Sequence, residues 1–180
     1  MIVELTDITG LLLIKPKVFE DERGYFFENY SKKAFHDAGI KDDFVQENQS
    51  LSQKGVLRGL HFQAPPFAQS KLIRVIRGSV FDVVVDIRSN SAHYGQSFCV
   101  ELNETNKWML YVPEGFAHGF LTLEDNTIFA YKCGNYYQKD SEGGIMWNDD
   151  ELAISWGVDN PILSEKDKNN IVFSKFKSPF

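Results

Sequence analysis

The stretch Lys71–Arg88, KLIRVIRG followed by SVFDVVVDIR, reads as two consecutive β-strands and decides the fold class. In its second half, alternation puts Phe81, Val83, Val85 and Ile87 on one face and Val80, Asp82, Val84, Asp86 and Arg88 on the other. Two carboxylates thus share a face with valines. One account is a solvated sheet surface on which Arg88 pairs with Asp86, since antiparallel sheets commonly leave one face wet. The other is a polar barrel interior in which Asp82 orients a catalytic cation.

Working outward, the same short apolar and aromatic runs recur at residues 11–19, 24–30, 44–52, 56–63, 96–103, 107–115, 117–124 and 127–137, separated by turn residues. Such close spacing predicts an all-β sandwich or barrel. Only residues 31–40, SKKAFHDAGI, read as a helix, with Ser31 as N-cap and Gly39 as stop, while NPILSEKDKNN near the C-terminus suits a short helical turn. No repeat, low-complexity tract or linker interrupts the chain, so one domain over residues 1–180 is expected.

Composition narrows the function. The 180 residues are 43% hydrophobic and 14% aromatic, enough for a substantial core. A net charge of -6 argues against a nucleic-acid partner, which needs a concentrated basic surface. Glu4 and Asp7 lie where a signal peptide would be apolar, and no run approaches the roughly 18 apolar residues of a membrane span, so the expectation is a cytoplasmic protein without a membrane partner. Cys99 and Cys133, far apart and in apolar surroundings, are expected to be buried free thiols.

Residues 56–63, VLRGLHFQ, hold one of only four histidines. Simple alternation would separate Arg58 from His61, but a glycine inside a strand often marks a bulge, and a bulge at Gly59 would let both face one cavity. A histidine in a β-barrel first suggests a metal. Here the second residue after His61 is Gln63, a poor transition-metal ligand, and His61 with His118 falls short of the usual three or four protein ligands. No metal or cofactor is expected.

The series FEDERGYFFENY, FVQENQS, VLRGLHFQ, QSKLIRVIRGSVFDVVVDIR, YVPEGFAHGF, AYKCGNYY, IMWNDDELAISW and LSEKD, in that order, resembles the dTDP-4-dehydrorhamnose 3,5-epimerase family over about residues 10–167. The resemblance implies a cupin-type jelly roll, free of metal and usually homodimeric, that inverts the carbons flanking the ketone of a dTDP-4-keto-6-deoxyhexose. It implies His61 as base, Asp167 as the carboxylate orienting it, Lys71 facing the C4 oxygen, and Tyr131 as acid on the far face. By the same resemblance Arg58 and Arg23 hold the diphosphate, with Arg23 reaching across from the partner subunit. Gln46, Asn48, Glu28 and Phe26 match other substrate contacts, Tyr137 matches an aromatic stacking on the nucleobase, and His118 lies near the site with Asp82 as a candidate support.

The chemistry agrees with that set: a C4 carbonyl acidifies its neighbouring C–H bonds, and inversion needs a base, an electrophile and an acid on opposite faces. Three departures leave substrate detail open. SAHYG (91–95) replaces the commoner SPTFG, Cys133 and Gly134 stand where threonine or similar residues are common, and ISWG replaces ISWP. A C3-only or C5-only epimerase, a non-catalytic sugar-nucleotide-binding cupin and a metal-dependent cupin are the competing expectations.

Overall fold

The computed structural model describes residues 1–180. It is built on two facing antiparallel sheets, a cupin-type jelly roll with few short helices. The first sheet has the order β1 (Ile2–Leu5), β2 (Leu12–Lys15), β10 (Met109–Val112), β7 (Lys71–Arg77), β12 (Thr127–Cys133) and β5 (Gln46–Ser52). The second runs β13 (Glu142–Gly144), β6 (Leu57–Gln63), β11 (Phe116–Thr122), β8 (Ser79–Asp86) and β9 (Ser97–Asn103). A separate hairpin joins β3 (Phe19–Asp21) to β4 (Gly24–Phe26). No helix is long and apolar enough to cross a membrane.

Three apolar clusters explain why these strands stack. Between the sheets, Ile73, Val75, Leu110 and Phe129 of the first meet Val80, Val84, Phe116 and Phe120 of the second. Beyond the second sheet, Leu57, Leu60, Val83, Val85 and Ile87 are covered by Ile145, Leu152 and Trp156 of the C-terminal segment. Outside the first sheet, Ile14, Leu72 and Met109 pack under Phe35 and Ile40 around α1 (Lys32–Asp37). Strand β8 is therefore buried on both faces, and Asp82 lies in the interior with no exposed surface. Asp82 is thus interior rather than on a solvated surface, while Arg88 does pair with Asp86, Nη2 to Oδ2 at 2.6 Å.

The bulge expected at Gly59 is present. His118 pairs with His61 and Phe120 with Arg58, so two steps on β11 face three on β6. The extra residue reverses the parity: Leu57, Leu60 and Phe62 join the outer cluster, and Arg58 and His61 both turn to the inter-sheet cavity. Glycine is required at the crossing, because Gly59 has φ +138° and a Cβ there would lie 2.4 Å from the Gly119 Cα.

Several expectations need correction. Cys133 is buried, but Cys99 is exposed, because it lies with Ser97 and Glu101 on the outward face of β9, while Phe98, Val100 and Leu102 take the face that packs on the core. The helix is shorter than residues 31–40, ending at Asp37, although the Ser31 Oγ does accept a bond from the Ala34 N–H and Gly39 takes φ +95°. Strands β1 and β13 were not predicted; four and three residues long, they are defined by pairing rather than by a run of alternation.

Candidate active site

A cavity of about 470 Å³ opens between the sheets, lined among others by Asn48, Arg58, His61, Lys71, His118, Phe120, Tyr131 and Asp167. An adjoining lobe of about 90 Å³ shares Asn48, His61, Lys71 and Tyr131 with it and adds Gln46, Tyr137 and Glu142. Each sheet supplies a different part. Strand β6 presents Arg58 and His61, and β11 presents His118; from the opposite sheet come Lys71 at the start of β7, Tyr131 on β12 and Asn48 on β5. Base and acid candidates thus stand on facing walls.

The His61 Nε2 lies 2.5 Å from the Asp167 Oδ1. Asp167 is 2% exposed, and its other oxygen accepts a bond from the Ser164 hydroxyl at 2.7 Å. Burial pushes this carboxyl upward, but the bonds from His61 and Ser164 outweigh it and hold its pKa below the ordinary value. A carboxylate so placed fixes the imidazole tautomer and stabilises imidazolium when the ring takes a proton. In His118 the same pairing is drier: its Nε2 lies 2.9 Å from the Asp82 Oδ2 and its ring stacks on Phe129. Burial lowers the His118 pKa against the opposing pull of Asp82, so the ring favours its neutral form.

Opposite His61, the Lys71 Nζ sits 5.8 Å from the Tyr131 ring centroid. Burial lowers the Lys71 pKa, and the fields of Cys133, Asp82 and Glu142 do not cancel that effect. Burial also raises the Tyr131 phenol above its ordinary value, against the Asn48 side chain, which faces it in register across β5. A protonated phenol and a desolvated ammonium are suited to donating a proton and to stabilising an oxyanion, respectively.

Around this centre the remaining candidates divide. Gln46 is bonded through Nε2 to the Asn48 Oδ1 and accepts the Tyr137 N–H, so Gln46, Asn48 and Tyr137 form one connected rim. The exposed Arg58 donates its Nε–H to the Ser52 hydroxyl at 3.3 Å, which leaves the rest of the guanidinium fork at the cavity. Gln63 spends its amide on the Phe67 and Tyr136 carbonyls and the Gln138 N–H, tying loops together. Arg23, Phe26 and Glu28 are not brought to the cavity; Arg23 and Phe26 belong to the exposed β3–β4 hairpin, and Glu28 follows it.

The sequence reading missed Ser164, Glu142 and Lys166. Ser164 stands three residues before Asp167, a spacing that would have suggested a local cap. The Lys166 Nζ to Glu142 Oε1 ion pair, 2.5 Å, joins distant segments and leaves no local signal.

The fold and the cavity define a cupin-type jelly roll with a histidine–carboxylate pair facing a lysine and a tyrosine, the class suited to moving protons at carbon. The chain belongs to the dTDP-4-dehydrorhamnose 3,5-epimerase family, whose model matches residues 5–175. It is 52% identical over 169 residues to the dTDP-4-dehydrorhamnose 3,5-epimerase of Shigella flexneri, covering 93% of each chain. The crystal structure of the Elizabethkingia anophelis dTDP-4-dehydrorhamnose 3,5-epimerase superposes with a TM-score of 0.92 at 47% identity, covering 97% of both chains. The Legionella pneumophila dTDP-6-deoxy-D-glucose-3,5-epimerase, solved in complex with dTDP-4-keto-L-rhamnose, gives 0.93 at 45% identity, covering 97% of this chain and 94% of that one.

Proposed function

We propose that this protein, acting as a single jelly-roll domain, inverts C3 and C5 of dTDP-4-keto-6-deoxy-D-glucose to give dTDP-4-keto-L-rhamnose, a step toward dTDP-rhamnose. The observation that carries the reading is the division of labour between the sheets, with His61 on one wall and Lys71 and Tyr131 on the other. A sugar ring lying between them has a base on one face and an acid on the opposite face. Neutral His61 takes the proton from the carbon beside the ketone, Asp167 stabilises the imidazolium, and the C–H electron pair moves to the C4 oxygen as an enolate beside the Lys71 ammonium. The enolate then collapses as the carbon takes a proton from the Tyr131 hydroxyl on the other face, and the centre is inverted.

Arg58 is assigned to the diphosphate, Tyr137 to the nucleobase, and Gln46, Asn48 and His118 to the sugar and base contacts. Because protein cations and donors supply the stabilising charge, the scheme calls for no metal or cofactor. Arg23, Phe26 and Glu28 are assigned to the cavity of a second copy in a cytoplasmic homodimer. Supporting this, the Arg23 side chain is 85% exposed and the hairpin carries Phe19, Tyr25 and Phe26 largely uncovered.

Proton NMR in heavy water tests the function. Deuterium at both C3 and C5 is expected; label at one carbon alone would establish the single-centre alternative, which the substitutions Cys133 and Gly134 beside Tyr131 keep in view. No exchange would contradict an epimerase of this substrate and leave a binding protein.

A further inference from the structure

Lys71 begins β7 where β12 ends, and three ties join the two segments there. Cys133, the last residue of β12, pairs with Lys71 on one side and with Gln46 on the other. The Gly134 N–H donates to the Ser70 carbonyl at 2.9 Å, and the Gln69 side-chain amide donates to the Asn135 carbonyl at 2.7 Å. Within this splice Ser70 is 1% exposed, and its hydroxyl has no hydrogen-bond partner in the chain. A buried hydroxyl without a partner costs stability, so room rather than bonding fixes where it lies. The room is at Gly134. A Cβ built there would overlap the Ser70 Oγ, whereas the Ser70 Cβ and N, each at 3.6 Å, would be in ordinary contact. Gly134 is not among the residues of positive φ, so its backbone suits a side chain and one oxygen atom stands in the way.

We propose that Ser70 and Gly134 are a mutually exclusive pair of positioning residues: the Ser70 hydroxyl fills the space of a β-carbon at 134, and this contact sets how closely the start of β7 lies against the end of β12. Neither residue lines the cavity or its adjoining lobe, so both act through a neighbour. That neighbour is Lys71, which follows Ser70 directly, while Tyr131 stands two residues before Cys133 on the facing strand. A side chain forced in at 134 would wedge the segments apart and move the Lys71 Nζ from its place 5.8 Å from the Tyr131 ring centroid. The link to turnover rests on the function proposed above; the exclusion itself does not.

The test compares the wild type with Ser70→Ala, Gly134→Ala and the double variant. None of these substitutions changes a charge, so a shift in the Lys71 titration, followed by side-chain carbon NMR in the ligand-free protein, reports geometry. Burial depresses that titration and Lys166 adds to the depression, against the fields of Cys133, Asp82 and Glu142. A wedge that admits water should raise it toward the ordinary lysine value in Gly134→Ala. Ser70→Ala should titrate as the wild type does, and the double variant should return to that value. At saturating substrate in heavy water, kcat for exchange should fall about tenfold to a hundredfold in Gly134→Ala with KM little changed, the scale of a misplaced group. Adding Ser70→Ala should restore it, the signature of two residues in contact.

Wild-type kcat and titration in Gly134→Ala would overturn the pair, whether or not its unfolding midpoint moves, because the contact would then be packing alone. A double variant no better than Gly134→Ala, a rise in KM with kcat intact, or a loss of kcat in Ser70→Ala by itself would contradict it equally. Should Gly134→Ala fail to fold, the double variant decides: folding recovered by Ser70→Ala supports the exclusion, and failure of both contradicts it. If the wild type exchanges no protons at all, the proposed function fails, and the Lys71 titration still decides the pair.

Discussion

The inter-sheet cavity and the β3–β4 hairpin are built on different terms. In the cavity, His61, His118 and Asp167 each have a bonded partner within the same chain, and the walls are held by the core on either side. On the hairpin, Arg23 pairs only with its neighbour Asp21, and Phe26 is 71% exposed. The histidine–carboxylate pairs are therefore fixed by folding alone, whereas on the hairpin Arg23 is held only within its own turn and the contact from a distant segment is Lys107 over the Tyr25 ring at 4.0 Å. The difference predicts two kinds of mutational effect: loss of kcat without loss of binding from the proton-transfer groups of the cavity, and loss of binding from the hairpin without loss of fold.

The largest effects should come from the cavity. Lys71→Met removes the cation beside the proposed C4 oxygen and should lower kcat about 10²–10³-fold with KM little changed; a loss confined to KM would place Lys71 in binding instead. Gly59→Ala should damage site and fold together, since its Cβ would meet the Gly119 Cα at 2.4 Å. A destabilisation of about 1–3 kcal/mol is expected in urea unfolding, and an unaffected midpoint would contradict the close crossing as the reason for glycine.

On the hairpin, Arg23→Ala should leave the melting temperature unchanged, because an exposed ion pair contributes about 0–1 kcal/mol. Its KM should rise about tenfold, the scale of one lost charged contact. A changed kcat would erase the distinction between the two regions. The smallest effect is a pH dependence of stability. The Asp167 carboxyl is held below its ordinary 3.8, so its contribution is present above that value and is lost as pH falls through the folded value. Asp167→Asn should flatten this acidic part of the stability profile; an unchanged profile would show that the carboxylate is not specifically held.

Much of the cavity was legible in the sequence because its parts sit on strong strands. The alternation in Ser79–Arg88 put Asp82 on one face with Val80 and Val84, and the structure turns that face inward. Gly59 signalled a bulge, though only the pairing with β11 shows that it swings Arg58 to the same side as His61. Asp167 was visible only by resemblance, since 106 residues separate it from His61 and a lone aspartate in LSEKD looks like a surface turn. Glu142 and Lys166 escaped altogether, because an ion pair between a three-residue strand and a loop leaves no periodicity to read. Cys99 was misjudged for a related reason: its apolar neighbours Phe98 and Val100 take the inward face of β9, and alternation puts Cys99 on the other.

The central claim is that protons leave toward one sheet and arrive from the other. Early turnover in heavy water, with recovered substrate and first product compared by NMR, tests it most directly. Two groups on opposite walls predict deuterium in the inverted product while recovered substrate still carries its original protons, and Tyr131→Phe should exchange at carbon without inverting it. Label accumulating equally in substrate and product from the outset, or full inversion in Tyr131→Phe, would contradict the account.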